Sequence, residues 1–319
     1  MPDDLDPTLN EMGEFSVIDR LVAGRTLSDS VLVGPGDDAA VLAAPDGRVV
    51  ISTDMLVEGR HFRRDWSNPH DIGRKAIAQN AADVEAMGAQ PTAFVVAFGA
   101  PPDTPASAAL QLSDGMWAEA QRCGGASIIG GDLVASPQWV VSVTVFGDLR
   151  GRAAVPRGGA RPGDTVAVAG ALGRSAAGYA LLLAGADGFS DLVRSHLVPE
   201  PPYGQGQIAA EAGATAMTDV SDGLLADLGH IATASGVGIA LTAAGLAPDV
   251  EALAGAAAVT DADAWDWVLG GGEDHALVAS FPQALPPGWR SIGEVVEGEP
   301  AVTVDGLLWS GARGWESFN

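Results

Sequence analysis

The chain has 319 residues, of which 41 are acidic and 17 basic, for a net charge of −24. That excess excludes nucleic acid and anionic membranes as main partners. The lone cysteine, Cys123, excludes an internal disulfide or thiolate metal cluster and sets a reducing, cytoplasmic location as the expectation.

The length favours two domains, and a hydrophobic content of 47% can fill a sizeable core. No stretch reaches the roughly 18 uninterrupted apolar residues of a membrane span. The acidic start, Met1 to Asp6, lacks the apolar core of a signal peptide. Residues 1–12 read as a loose tail. Apolar spacing predicts a helix over 14–23 and strands over 39–42 and 49–52, the second ending at Thr53-Asp54. A helix over 71–87 follows, stopped by Gly88, then a strand over 92–98 and a helix over 105–123. A short strand over 126–129 runs into Gly130-Gly131-Asp132, and the strongest strand signal lies over 139–147.

Residues 148–164 gather Arg150, Arg152, Arg157 and Arg161 among Gly and Pro, and read as a linker. The domains are accordingly placed at 1–148 and 149–319. Beyond the linker, strands are predicted over 165–169, 214–218, 238–242, 276–281 and 301–304. Helices are predicted over 175–184, 204–212, 224–235 and 262–269. Alternating strands and helices make this an α/β chain with mixed sheets.

Short acidic segments punctuate the chain where apolar runs meet turns: Gly36-Asp37-Asp38, Ser52-Thr53-Asp54, Asn80 to Asp83, Gly130-Gly131-Asp132, Asp219 to Gly223 and Gly271 to Asp274. Carboxylates and hydroxyls spread along a chain in this way suit magnesium, which takes oxygen ligands and keeps several waters. They also suit a protein that handles a polyanion through metal. Each segment alone reads equally as a turn or a cap; Asp222 in particular can cap the helix over 224–235.

No Gly-x-x-x-x-Gly-Lys segment is present, so this is not a P-loop. Gly170 to Gly173 offers either a phosphate-binding turn or an ordinary strand-to-helix turn. Arg157 is the preferred phosphate clamp. His61, in Glu58-Gly59-Arg60-His61-Phe62, either holds a substrate phosphate or sits in a surface loop. Trp315 and Phe318 are either an apolar anchor or a stacking surface.

Taken in order and spacing, Gly34 to Leu42, Ser52 to Phe62, Asn80 to Gly88, Gly130 to Asp132, Asp219 to Leu224 and Gly270 to Asp274 resemble the thiamine-monophosphate kinase family. The resemblance extends from about Glu14 to Gly314-Trp315-Glu316-Ser317-Phe318. It implies an aminoimidazole ribonucleotide synthetase-like architecture: a dimerising N-terminal α/β domain and a C-terminal α/β domain, with the active site in the cleft between them. It implies direct, ATP- and magnesium-dependent phosphorylation of thiamine monophosphate to thiamine diphosphate by a homodimer. It further implies Asp37, Ser52, Thr53, Asp54, Asp83, Asp132, Asp219 and Asp222 as magnesium ligands. Gly131, Asp132, Arg157 and Ser221 would contact ATP. His61, Glu273 and Trp315 would contact thiamine monophosphate. Asp54, Asp83, Asp132 and Asp222 are the residues expected at the reacting phosphates.

Met55, Leu133 and His275 depart from the residues usual in that pattern, as does the missing histidine between Trp315 and Phe318. None is a proposed ligand. A selenophosphate synthetase would carry a reactive cysteine near its N-terminus, and a hydrogenase-maturation relative would end in cysteine; this chain shows neither. An aminoimidazole ribonucleotide synthetase and a non-catalytic binder of metal or thiamine phosphate are the remaining alternatives.

Overall fold

The computed structural model describes residues 6–35, 39–311 and 314. In chain order the elements are α1 (Leu9–Met12), α2 (Glu14–Val22), β1 (Val31–Val33), β2 (Val41–Leu42), β3 (Val50–Val57), α3 (Pro69–Ala86), β4 (Gln90–Ala100), α4 (Ala106–Arg122), β5 (Ser127–Ala135) and β6 (Val140–Asp148). There follow β7 (Thr165–Ala169), α5 (Arg174–Ala184), α6 (Ser190–Leu197), α7 (Gln205–Glu211), β8 (Ala216–Asp219), α8 (Leu224–Ser235), β9 (Gly238–Leu241), α9 (Ala243–Thr260), α10 (Ala264–Gly270), β10 (Leu277–Phe281), β11 (Arg290–Val296) and β12 (Ala301–Val304).

They pack as two compact units, Met1–Val84 with Gln90–Asp148, and Glu85–Ala89 with Leu149–Asn319. Among the described residues no helix is long and apolar enough to cross a membrane.

The first unit holds a four-stranded sheet in the order β3-β6-β4-β5, antiparallel except for the parallel pair β4-β5. Alternation along β3 sends Ser52, Asp54 and buried Leu56 to one face, and Ile51, Thr53 and Met55 to the other. Helix α3 lies on the first face. Asn68 Oδ1 accepts from the Asp71 N–H at its start, Pro69 fills the first turn, and Gly88 follows its end at φ +74°. Helices α3 and α4 meet at two glycines. A Cβ on Gly73 would stand 2.0 Å from the Leu112 carbonyl, and one on Gly115 would stand 1.9 Å from that of His70.

The second unit is built on a six-stranded sheet in the order β12-β9-β11-β7-β10-β8, antiparallel except for the parallel pair β12-β9. One face buries Val166, Val168 and Val278 with Leu181, Leu224, Leu228, Leu253 and Val268 from α5, α8, α9 and α10. The opposite face buries Ala167, Met217, Leu277 and Phe281 with Ala209 of α7. Glu85 serves this unit: its carboxylate accepts from the N–H groups of Gly204 and Gly206 at the start of α7.

Two acidic segments expected at strand ends lie inside strands. β3 continues through Ser52-Thr53-Asp54 to Val57, and β5 continues through Gly130-Gly131-Asp132 to Ala135. Gly131 is required by packing, since a Cβ there would meet the Val96 carbonyl at 1.9 Å. The expected loose tail contains α1, closed by a capping box between Thr8 and Glu11. Four further elements, β1, α6, α9 and β11, occupy segments for which no element was predicted.

The α3–α4 crossing yields a first prediction. Gly115→Ala is expected to lower the unfolding free energy by about 1–3 kcal/mol through overpacking, whereas the same exchange in an open helix raises it by about 1 kcal/mol. Urea unfolding of the two proteins measures the difference.

Candidate active site

In the first unit, β3 and α3 bring one acidic set together. Ser52 Oγ donates to Asp83 Oδ2 at 2.6 Å. The Asp54 N–H donates to Asn80 Oδ1 at 3.0 Å, and Gln79 Nε2 donates to Asp54 Oδ2 at 3.3 Å. Asn80 is fully buried, and its amide nitrogen donates to the Ala76 carbonyl. It therefore fixes the strand against the helix at the point where the carboxylates project. The sequence places Asn80 one turn before Asp83 on the same helix face; the bond to the Asp54 N–H that makes it a clamp comes from the fold. His61 lies in the turn after β3, where its Nδ1 accepts from the Val57 N–H at 3.0 Å.

Thr53 and Asp132 lie on the other face of the sheet from this set. Thr53 pairs with Thr144, Thr144 with Val95, and Ala97 with Asp132, so strand register puts Thr53 and Asp132 on the opposite face from Ser52 and Asp54. Thr53 Oγ1 donates to the Val143 carbonyl. Asp132 Oδ1 accepts from the N–H of Leu133. Asp37 and Trp315 lie outside the described residues.

In the second unit, β8 delivers Asp219 to Gly223 alongside the segment Gly272 to His275. The Val220 N–H donates to the Ala276 carbonyl, the Glu273 N–H to that of Ser221 and the His275 N–H to that of Val220, all at 2.8–2.9 Å. Arg157 reaches the same place, its Nε donating to Thr218 Oγ1 at 3.2 Å. Arg157, Asp219, Ser221, Asp222 and Glu273 are thus gathered around one turn. Glu273 holds a left-handed backbone at φ +61°, and its Oε2 stands 3.4 Å from Nδ1 of buried His196.

Asp222 is not the cap of α8. That position is Gly223, with no side-chain capping bond. Asp227 does the tying instead: its Oδ2 accepts from the N–H groups of Asp222 and Gly223 at 3.1 and 3.0 Å. Sequence analysis missed Asp227, whose position in the first turn of the helix was the signal. The Gly170 to Gly173 turn is also resolved. Its Leu172 and Gly173 amides donate to Asp249 and Asp274, and Ser175 donates to Asp274, so internal carboxylates already occupy them.

Burial, reinforced by the neighbouring charges of Asp219 and Asp222, pushes the Asp227 carboxyl up to about 7. Burial, with a smaller contribution from the charge of Asp249, pushes Asp274 to about 7 against the pull of its two amide donors and of His275. Asp227 Oδ1 is buried with no hydrogen-bond partner among the described residues. Crowded carboxylates with an orphaned oxygen fit a small hard cation. Among the described residues no three acidic, histidine or cysteine side chains form a metal cage by themselves. That arrangement suits magnesium, which usually takes one or two carboxylates, with water and substrate phosphate oxygens completing its shell.

A second prediction comes from Asp227. Its raised pKa means that the folded chain binds a proton more tightly than the unfolded one, so this contribution to stability is lost as pH rises from about 4 to about 7. Asp227→Asn removes the repulsion and places an amide donor beside Asp219 and Asp222. Without divalent cations, the variant should match the parent near pH 4 and exceed it by on the order of 2–4 kcal/mol at pH 8. Urea unfolding at the two pH values tests this.

Comparison with known proteins bears on the same segments. Residues 36–149 match the AIR synthase related protein N-terminal domain, and residues 161–305 match the corresponding C-terminal domain. A thiamine-monophosphate kinase of Mycobacterium tuberculosis is 64% identical over 312 residues, covering 98% of this chain and 93% of the relative. One from Corynebacterium glutamicum is 44% identical over 326 residues, covering 98% and 95%. A solved structure of AaThiL complexed with AMPPCP and TMP superposes with a TM-score of 0.78 at 29% identity, covering 99% of this chain and all of that one. The chain belongs to the thiamine-monophosphate kinase family, on the AIR synthase related fold.

Proposed function

We propose that this chain transfers the γ-phosphoryl group of ATP to the phosphate of thiamine monophosphate, giving thiamine diphosphate and ADP. The observation that carries this is the membership of the family over nearly the whole chain, with both acidic sets in place. Ser52, Asp54 and Asp83 in the first unit, and Asp219 and Asp222 in the second, are the proposed magnesium-holding residues. Asp37 is retained from the sequence. Bound magnesium would neutralise phosphate charge and hold the two anions together.

The residues of the chain then position rather than activate. The acceptor phosphate oxygen is already ionised, so no general base is needed, and no side chain stands out as an activated nucleophile. Arg157 and Ser221, gathered at the Asp219 turn, are proposed for the ATP phosphates. Gly131 and Asp132 keep their proposed ATP contact on the resemblance alone. Glu273 offers a carboxylate to the cationic ring of the substrate, with His61 on its phosphate and Trp315 on its ring system. The reaction is direct in-line transfer, with rate gained from positioning and charge neutralisation. The single cysteine and the acidic surface fit a cytoplasmic enzyme.

We also infer a homodimer formed through the second face of the first unit's sheet. That face exposes Ile51 and Met55 on the edge strand β3 and Val134 on the opposite edge strand β5, at 57%, 51% and 56%.

The deciding assay supplies ATP, magnesium and thiamine monophosphate and measures thiamine diphosphate. Absence of product at high enzyme concentration would reject the kinase. Asp54→Asn should leave folding intact and lower turnover by at least about 100-fold, since loss of an outer partner of a metal ligand alone costs about 10–100-fold. Near-normal turnover would remove Asp54 from the metal site. Light scattering should give twice the chain mass for the parent and one chain mass for Met55→Glu; a monomeric parent would end the dimer inference.

A further inference from the structure

We propose that His275 is a positioning residue that presents the Asp219 carboxylate to a divalent cation. This rests on the assignment of Asp219 and Asp222 as cation ligands. His275 and Asp219 are 5% and 3% exposed, and Nδ1 stands 3.1 Å from Asp219 Oδ2. An ionised carboxylate only accepts hydrogen bonds, so the imidazole Nδ1–H is the donor. Among the described residues the other Asp219 oxygen makes no hydrogen bond.

The imidazole is itself held. The His275 N–H donates to the Val220 carbonyl at 2.9 Å, one residue beyond Asp219, and the Val220 N–H returns a bond to Ala276 at 2.8 Å. His275 sits at φ +51°, a left-handed backbone that few residue types adopt readily. It stands one step past Asp274, whose carboxylate anchors the start of α5. This registers the ring opposite Asp219.

The choice of donor is chemically specific. A lysine or arginine would pair with the carboxylate and compete with an incoming cation for its charge. The imidazole N–H engages Oδ2 alone and so fixes the orientation of the carboxylate. Hydrogen-bond partners that orient metal ligands in this way typically contribute about 10–100-fold to metal affinity.

Two amide variants separate orientation from bulk. In His275→Asn the side-chain amide nitrogen can occupy the place of Nδ1, and asparagine tolerates the left-handed backbone. In His275→Gln the amide extends past that place to the position of the far ring nitrogen. Manganese binding to the full chain, measured by electron paramagnetic resonance, is the readout, with Asp219→Asn as the reference for loss of the site. Thermal melting without metal checks that each variant is folded. His275→Asn should bind manganese as the parent does, and His275→Gln about 10–100-fold more weakly. In turnover, His275→Gln should raise the magnesium requirement while KM for thiamine monophosphate at saturating magnesium stays unchanged. Equal manganese affinity in the parent and both variants, with Asp219→Asn impaired, would overturn the positioning role. Unimpaired Asp219→Asn would instead overturn the ligand assignment beneath it.

Discussion

A protein of net charge −24 that joins two phosphate anions must first overcome its own repulsion. Everything distinctive about the two acidic sets follows from that constraint. Asp83 accepts from a serine, Asp54 from a glutamine, Asp227 from backbone amides and Asp219 from an imidazole. These donors fix the geometry of the carboxylates. Asp227, whose pKa burial and then the charges of Asp219 and Asp222 push to about 7, carries a buried oxygen with no hydrogen-bond partner among the described residues.

Rigidity is obtained differently in the two units. In the first, a strand and a helix are locked by fully buried Asn80, so Asp54 and Asp83 project from regular elements. In the second, a turn is held by Asp227 from below and by the Gly272 to His275 segment from the side. Turns allow several oxygens in few residues, and the extra ties supply the stiffness that a strand has by itself. Positioning of this kind is the main resource for phosphoryl transfer, where there is little covalent work for side chains to do.

Much of this was legible in the sequence where periodicity is strong. Leu224–Ser235 and Ala301–Val304 fall where apolar spacing placed them. The acidic residues were legible as a set, but not their faces. Glycine beside aspartate reads as a turn, yet Gly130-Gly131-Asp132 continues a strand, because Gly131 answers to the close approach of the Val96 carbonyl. Once Ser52-Thr53-Asp54 is strand throughout, alternation separates Thr53 from its neighbours. Helix α9 escaped notice because its alanine-rich run carries Pro248 and has little contrast between faces. Strand β11 escaped because a register shift between Ser291 and Gly293 spaces buried Ile292 and Val295 three apart. His275 acts on Asp219 from a segment distant in the chain, which no local pattern encodes.

The most direct measurement is anomalous diffraction from crystals of the full chain grown with manganese, a non-hydrolysable ATP analogue and thiamine monophosphate. Anomalous peaks beside Asp54 and Asp83, and beside Asp219 and Asp222, are the expected result. Manganese bound only by the nucleotide, with none of these carboxylates in its coordination shell, would contradict the account.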